Sequence, residues 1–131
     1  MKREYPPKIF IVDDSEVQLV LLKKVLRNEG YQVKAFVTAQ KLLNRLTDED
    51  PDLIISDIDM PMLNGFELVQ KIKSRGDLKQ VPCLLVSSKP PSTIQEKVRR
   101  VGAAGFIQKP FKHHFLKNTI HSLLNRQVRS A

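Results

Sequence analysis

Short apolar runs alternate with longer amphipathic segments along the whole chain. The apolar runs lie at residues 8–12, 31–36, 53–56, 83–86 and 106–108. They are rich in β-branched and aromatic residues and too short for helices, so they predict five strands. Apolar residues spaced by three or four predict helices between and after them, at about residues 16–29, 39–46, 66–74, 93–101 and 112–128.

This alternation predicts an α/β fold with a parallel sheet covered by helices on both faces. Each crossover between neighbouring strands is expected to be right-handed. A chain of 131 residues suits one domain, residues 1–131, with its core at about residues 8–126. The sequence contains no internal repeat, low-complexity tract or domain-sized linker.

Polar residues predict where three of the helices begin. Ser15 with Gln18 predicts a capping box before the first helix. Thr38 is the predicted cap of the second helix. Ser92 and Thr93, the latter with Glu96 three residues later, are candidate caps of the fourth. These predictions depend on side-chain oxygens that accept the unpaired N–H groups of a first helical turn.

Two further local predictions concern a turn and a helix face. Asn64 and Gly65 predict a turn, because both residue types tolerate positive φ. The first helix is predicted to carry most of its apolar residues on one side, at Val17, Leu21, Leu22, Val25 and Leu26.

The composition indicates a soluble globular protein, with 41% hydrophobic and 27% charged residues. No apolar stretch approaches the roughly 20 residues of a membrane span. The basic N-terminus is not followed by an apolar signal core, so we expect a cytoplasmic protein.

The lone Cys83 lies in an apolar run and is expected to be a buried thiol. A single cysteine excludes an internal disulfide and a zinc site built from several cysteines.

The formal charge of +8 lies entirely in the last third of the chain. Residues 1–86 hold 13 basic and 13 acidic residues, whereas residues 87–131 hold nine basic residues and one acid, Glu96. An acidic protein partner is the favoured explanation, ahead of nucleic acid or an anionic membrane surface, and an ordinary solvated surface is the alternative. His113 and His114, in the same segment, are expected to be surface residues. Apart from Lys109, the basic residues of this segment are Lys89, Lys97, Arg99, Arg100, Lys112, Lys117, Arg126 and Arg129.

Polar side chains follow several of the predicted strands directly. Asp13 and Asp14 follow the first strand, Asp57 the third, Ser87 the fourth and Lys109 the fifth. The carboxyl ends of parallel strands meet at one edge of the sheet, where such folds bind ligands. Clustered carboxylates repel one another unless a cation joins them, and oxygen ligands without His or Cys favour a hard ion such as Mg²⁺. A carboxylate beside Mg²⁺ can act as a nucleophile and form an aspartyl phosphate.

Taken together, these motifs resemble the receiver domain of two-component response regulators, closest in plan to the stand-alone chemotaxis type. The resemblance covers residues 8 to about 126. It implies a flavodoxin-like, doubly wound sheet of strand order 2-1-3-4-5. The matching segments are Val12-Asp13-Asp14-Ser15, Asp57-Ile58-Asp59-Met60-Pro61 with Gly65, Val86-Ser87-Ser88 and Lys109-Pro110-Phe111.

The resemblance also implies a role for each matching residue. Asp57 would accept a phosphoryl group from the phosphohistidine of a histidine kinase or phosphotransfer protein. Asp13, Asp14, Asp57 and the backbone carbonyl of Asp59 would hold Mg²⁺ or Mn²⁺. Ser87 and Lys109 would contact the phosphoryl group, with a cis bond between Lys109 and Pro110. The chain would then be a phosphoacceptor with slow self-dephosphorylation, not an enzyme.

Four residues are expected to tune the response. Ser87 and Phe106 correspond to the switch of the family, and Phe106, which replaces the frequent Tyr, is hypothesised to stay inward and favour the active form. Asp59 and Lys89 are hypothesised to pair over the mouth of the site and screen the phosphoryl group from water.

Three alternatives remain open at the level of sequence. The chain is a receiver cut from a larger regulator or hybrid kinase, with an output domain after Ala131, or it is an adaptor that works without phosphorylation. The third is a phosphohydrolase of the haloacid dehalogenase type, suggested by Asp57-Ile58-Asp59. That family begins with its Asp-x-Asp motif and ends with paired acids, whereas here Asp13 and Asp14 come first.

Overall fold

Five strands alternate with five α-helices in the computed structural model, which describes residues 5–129 and their side chains as far as residue 125. A 3₁₀ turn, Gly76–Leu78, lies between the third helix and the fourth strand. The elements are β1 (Lys8–Val12), α1 (Glu16–Asn28), β2 (Gln32–Phe36), α2 (Ala39–Arg45), β3 (Leu53–Asp57), α3 (Gly65–Lys73), β4 (Cys83–Ser87), α4 (Pro91–Arg100), β5 (Gly105–Gln108) and α5 (His113–Arg129).

All four strand pairs are parallel, and the strand order is β2-β1-β3-β4-β5, which confirms the predicted fold class. In the register of the sheet, Val12 lies beside Ser56, and Asp57 lies beside Val86. The residues that follow β1, β3, β4 and β5 therefore emerge at the same edge of the sheet.

The strands separate two hydrophobic cores, because successive side chains of a strand point to opposite faces. In β1, Phe10 and Val12 belong to the core under α2, α3 and α4. Ile9 and Ile11 belong to the core under α1 and α5. The short apolar runs are thus buried on both faces, as expected for a parallel sheet.

The predicted apolar face of α1 is wrong in part. Val17 and Leu21 are 67% and 55% exposed, and Val20 is 65% exposed. Leu19 and Leu26 are the buried residues of this helix. Apolar residues occur on more than one side of α1, so periodicity alone did not determine which side packs on the sheet.

The predicted caps Ser15 and Thr38 are confirmed and Thr93 is wrong, but the predicted capping box at Ser15 forms only in part, because the Ser15 N–H donates to Asp13. The side chains of Ser15 and Thr38 accept N–H groups from the first turns of α1 and α2. Thr93, by contrast, lies inside α4, which begins at Pro91, and its hydroxyl donates to the carbonyl of Pro90 at 2.7 Å. A proline at the first helical position is favourable because its missing N–H would be unpaired there anyway.

The turn predicted at Asn64 and Gly65 is instead the start of α3. Asn64 and Glu67 form a reciprocal capping box, with two N–H···O contacts of 2.9 Å. The positive φ of this segment, 70°, belongs to Met62.

Cys83 is the first residue of β4 and is fully buried. Burial raises the pKa of its thiol to about 11, and the positive charge of Lys73 acts in the opposite direction. None of the helices within residues 5–129 combines the length and the apolar character needed to cross a membrane.

Candidate functional site

Three carboxylates converge where β1 and β3 end. Asp57 is the last residue of β3, and Asp13 and Asp14 follow β1, the neighbouring strand. One oxygen from each of the three lies within 4.8 Å of the others. The N–H of Ser15 donates to Oδ1 of Asp13 at 2.9 Å and helps to orient that carboxylate.

Lys109 brings a cation to these acids from the end of β5. Its Nζ lies 3.3 Å from Oδ2 of Asp13 and 3.7 Å from Oδ2 of Asp57. Its backbone N–H donates to the carbonyl of Ser87 at 2.8 Å, and the Lys109–Pro110 bond is cis. The sequence thus predicted correctly that Asp13, Asp14, Asp57 and Lys109 lie together.

The surroundings of Asp57 oppose its ionisation. Its pKa is raised from 3.8 to about 6, mainly because burial removes water from the carboxylate. The ammonium group of Lys109 counteracts this effect, whereas Asp13 reinforces it. Because one lysine faces three carboxylates, the site is suited to bind an additional cation.

Ser87 lies beside this cluster, and two neighbours hold its hydroxyl group. The Ser87 side chain is fully buried. Its hydroxyl donates to Oδ2 of Asp59 at 3.1 Å, and its oxygen accepts the backbone N–H of Lys89 at 3.1 Å. The other oxygen of Asp59 lies 3.2 Å from Nζ of Lys89, so the pairing hypothesised from the sequence is present. The hydrogen bond between Ser87 and Asp59 was not predicted, because it depends on side-chain rotamers.

Gly65 matches the family motif, and the structure gives the physical reason for a glycine there. A Cβ atom at this position would lie 2.6 Å from the carbonyl oxygen of Asp57 and 2.9 Å from Cα of Ile58. The N–H of Gly65 also donates to the carbonyl of Ile58 at 3.0 Å. The start of α3 is therefore packed directly against the backbone of the acidic site.

A cavity of about 410 Å³ lies next to the acids, between α1 and α5. His113 and His114 are exposed, as expected, and His113 also contributes to the cavity wall. Sequence reasoning missed this cavity, because residue patterns do not show how α1 and α5 pack beside each other, although Leu21, Leu22 and Val25 belong to the predicted apolar face of α1. Its other lining residues include Leu21, Leu22, Val25, Asp57, Lys109, Phe111 and Leu116.

Phe106, the second residue of the expected switch, lies in β5 and is partly buried. It packs against the core under α2, α3 and α4. It also lines a groove with Pro91, Lys112 and Phe115. The hypothesis that this side chain favours an inward, active position stays a prediction.

The basic residues of the last third contact several different parts of the molecule. Lys97 lies over the ring of Phe66 in α3, with Nζ 4.8 Å from the ring centroid. Lys117 pairs with Glu29 at the end of α1 at 3.3 Å, and Arg100 pairs with Glu96 at 3.1 Å. The side chains of Arg126 and Arg129 lie outside the described residues.

The fold and the acidic site together define a receiver module, and comparison with known proteins identifies its family. Residues 9–121 match the response regulator receiver domain. The chain therefore belongs to the response regulator receiver domain family of two-component signal transduction, which is a family of signalling domains.

The curated relatives differ greatly in length. The rice (Oryza sativa subsp. indica) two-component response regulator ORR3 is 32% identical over 95% of this chain and 93% of its own length. The sensor histidine kinase TmoS of Ectopseudomonas mendocina is 26% identical over 93% of this chain, and protein RcaC of Microchaete diplosiphon is 32% identical over 94%. The chain spans only 12% of TmoS and 19% of RcaC.

Solved structures show the same fold. The chemotaxis protein CheY4 of Vibrio cholerae is 28% identical with a TM-score of 0.85, over 90% of this chain and 98% of that one. The receiver domain of a Syntrophus aciditrophicus histidine kinase is 33% identical with a TM-score of 0.85, over 91% and 90%. The receiver domain of the sensor histidine kinase PA1611 from Pseudomonas aeruginosa, described with magnesium in its active-site cleft, is 21% identical with a TM-score of 0.84, over 92% and 98%.

Proposed function

We propose that Asp57 is the phosphoacceptor of this receiver domain and that its donor is the phosphohistidine of a histidine kinase or phosphotransfer protein. The observation that carries the proposal is the position of Asp57 at the end of β3, beside two further acids and 3.7 Å from the ammonium group of Lys109. Carboxylate nucleophiles that form aspartyl phosphates need such an arrangement of positioning and charge.

In the transfer step, a carboxylate oxygen of Asp57 forms a bond to phosphorus as the bond between phosphorus and the donor imidazole nitrogen breaks. The imidazole keeps the electron pair of that bond and returns to its neutral form after taking up a proton. Lys109 balances charge on the phosphoryl oxygens, and the Ser87 hydroxyl donates a hydrogen bond to one of them. Water later cleaves the acyl phosphate slowly, which is the self-dephosphorylation that we assign to this chain.

The donor set fits Mg²⁺, with Mn²⁺ as a substitute. Asp13, Asp14 and Asp57 offer three carboxylate oxygens within 4.8 Å of one another, and hard divalent ions prefer oxygen ligands. The backbone carbonyl of Asp59 is the fourth proposed ligand. The magnesium described for the PA1611 receiver supports this assignment. The bound ion would neutralise charge on the carboxylates and on the phosphoryl oxygens.

Ser87 and Phe106 form the proposed switch. Movement of the Ser87 hydroxyl toward the phosphoryl group changes the space available to Phe106, which packs between the core and the groove beside α5.

Asp59 and Lys89 form the proposed gate at the mouth of the site. Their side chains are 48% and 56% exposed, and such pairs contribute about 0–1 kcal/mol, so the gate controls water access rather than stability.

We propose an acidic protein as the downstream partner, bound on the surface of α4, β5 and α5. Exposed Arg99 and Lys112 on this surface support the proposal. Nucleic acid is a less favoured partner. Binding that weakens as salt rises would support an electrostatic partner surface, and salt-independent binding would contradict it.

The setting of the domain is also a proposal. Relatives of about this length and relatives many times longer both contain the domain, so the phosphoacceptor role applies to a stand-alone regulator or to a module of a larger kinase or regulator. We place this phosphotransfer in the cytoplasm, in agreement with the unpaired, buried thiol of Cys83.

Phosphorylation of the purified chain tests the central proposal. The protein is incubated with acetyl phosphate and Mg²⁺, and intact-mass spectrometry is expected to detect one added phosphoryl group that is lost over time and does not form when EDTA is present. Asp57→Asn is expected to abolish it. Asp77→Asn, in the exposed turn before β4, is the matched control and should leave it unchanged. An adduct that persists in Asp57→Asn would contradict the proposal.

A further inference from the structure

The single hydroxyl proton of Ser87 is already engaged before any phosphoryl group is present. A serine hydroxyl has one hydrogen to donate. Ser87 donates it to the carboxylate of Asp59 at 3.1 Å. Hydrogen bonds to an ionised acceptor are stronger than neutral ones, and this one lies at a side chain that is completely buried. Asp59 and a phosphoryl group on Asp57 would therefore compete for the same proton.

Lys89 holds both members of this hydrogen bond. Its Nζ lies 3.2 Å from the second oxygen of Asp59, and its backbone N–H donates to the Ser87 oxygen at 3.1 Å. The three residues thus form a closed ring of contacts that spans the β3–α3 and β4–α4 loops. Lys89 is followed directly by Pro90, the N-cap of α4, and by Pro91, its first residue. Release of Ser87 from this ring would remove a contact that fixes the start of α4.

We propose that Asp59 is a positioning residue that acts through Ser87: its carboxylate holds the Ser87 hydroxyl in the unphosphorylated position and opposes the move toward a phosphoryl group. This inference rests on the proposed role of Asp57 and adds a function of Asp59 distinct from gating. The contacts among Asp59, Ser87 and Lys89 must break before the β4–α4 loop can move, so they increase the free energy that phosphoryl binding has to supply for activation. The size of this increase depends on an acceptor oxygen at position 59.

A general effect of charge is the main competing explanation. Asp59 contributes negative charge near Asp57, and any neutral residue in its place would make anion binding easier. Asn and Ala at position 59 separate the two effects. Both remove the charge, but only Asn keeps an oxygen that accepts the Ser87 hydroxyl. The exposed position of the Asp59 side chain, at 48%, makes both variants compatible with the fold.

The experiment measures binding of beryllofluoride, a phosphoryl mimic, in the presence of Mg²⁺. The ¹⁵N-labelled wild type, Asp59→Asn and Asp59→Ala are each titrated and followed by NMR, and the same substitutions are repeated with Ser87→Ala. We expect Asp59→Ala to bind beryllofluoride about 3- to 10-fold more tightly than Asp59→Asn, the range for loss of one hydrogen bond. With Ser87→Ala, this difference should disappear.

A second readout is taken from the unliganded protein and compared with the beryllofluoride-bound wild type. The backbone N–H of Lys89 reports on the position of the Ser87 oxygen. In the unliganded protein, Asp59→Ala is expected to move the Lys89 amide resonance toward its beryllofluoride-bound position, and Asp59→Asn is expected to move it less.

The outcomes separate this inference from the proposed function. If wild type binds beryllofluoride and the two position-59 variants bind it equally, the role of Asp59 is refuted and that of Asp57 stands. A difference that persists with Ser87→Ala also refutes it, because the effect then does not pass through Ser87. Failure of the wild type to bind would refute the proposed function and this inference together.

Discussion

At the residue scale, Asp57 combines reactivity with a cost in stability. Its side chain is only 11% exposed, and it lies among other acids. Burial raises its pKa to about 6, so the folded protein disfavours the ionised form that a nucleophile requires. A bound cation would offset this cost at the same place where it supports phosphoryl transfer.

Asp57→Asn is therefore expected to stabilise the protein without divalent ions. An acid whose pKa is higher in the folded state destabilises the fold when it ionises, so the penalty is absent below about pH 4 and complete above about pH 6. The full pKa difference corresponds to about 3 kcal/mol, and water at the mouth of the site reduces it to about 1–2 kcal/mol.

Urea unfolding in EDTA at about pH 4 and pH 7.5 checks this prediction. The free energy of unfolding of Asp57→Asn should exceed that of wild type at the higher pH and match it at the lower one. Asp77→Asn provides the control and should show no such pH-dependent gain. An equal gain at both pH values would mean that the effect does not come from ionisation of Asp57.

The residue types at the strand ends were enough to predict that the acids and the lysine lie together in one site. Asp13, Asp57 and Lys109 each lie at or just after the end of a strand, and parallel strands bring their carboxyl ends together whatever the surrounding side chains do. The contact of Ser87 with Asp59 depends on the rotamers of a side chain at the end of β4 and one in the loop after β3, and no sequence pattern contains these rotamers.

At the scale of elements, the junction between β3 and α3 determines the shape of the site. The capping box of Asn64 and Glu67 fixes the start of α3. Gly65 then allows that start to approach the carbonyl of Asp57. The Asn-Gly pair predicts a turn with positive φ, but the same two residues also serve helix starts, and tertiary contact decides between them.

Gly65→Ala is expected to destabilise the protein by about 1–3 kcal/mol, because the new methyl group would overlap backbone atoms of Asp57 and Ile58. Gly76→Ala is the matched control, since a Cβ there meets no atom within 4 Å. Thermal and urea unfolding of both variants measure the difference. A stable Gly65→Ala with unchanged phosphorylation would show that α3 adjusts freely relative to β3.

Element boundaries are predicted to within about one to two residues where caps are clear, as at Ser15 and Thr38. The predicted start of α4 is too late, because Pro90 and Pro91 suggest a break before the helix. Proline suits both the residue before a helix and its first turn, so its presence alone does not decide between them.

At the scale of the whole molecule, the opposite edge of the sheet has its own charged cluster. Glu49 lies 2.8 Å from Lys8 in β1, 3.2 Å from Lys34 in β2 and 3.7 Å from Arg45 in α2. Its hydrogen bond with Lys8 is the main cause of a lowered pKa. Glu49 therefore links three elements that are distant from the acidic site.

Glu49→Gln is expected to lower the free energy of unfolding near neutral pH by about 1 kcal/mol or less, the range for accessible ion pairs. A lowered pKa in the folded state gives stability above the ordinary Glu pKa, and that stability is lost as pH falls through the folded value. The variant and wild type should therefore converge in acid, as measured by urea unfolding across pH. Glu96→Gln, which removes a single exposed pair with Arg100, should have a smaller effect. A constant difference at every pH would contradict the ionic explanation.

The fold as a whole was predictable because alternation of strands and helices leaves few arrangements of a parallel sheet. The distribution of charge over the surface could not be predicted in the same way. The sequence places nine basic residues in its last third, but helices turn their side chains in all directions, and Lys97 and Lys117 contact α3 and α1.

The buried Cys83 makes this chain convenient for site-specific labelling. It is the single cysteine of the sequence, it is fully buried, and its raised pKa keeps the nucleophilic thiolate scarce at neutral pH. A cysteine introduced at Asp77 would lie in an exposed turn at the edge of the sheet opposite Asp57. Maleimide dyes would react there selectively in the native protein, and a fluorophore at that position could report on partner binding without touching the phosphorylation site.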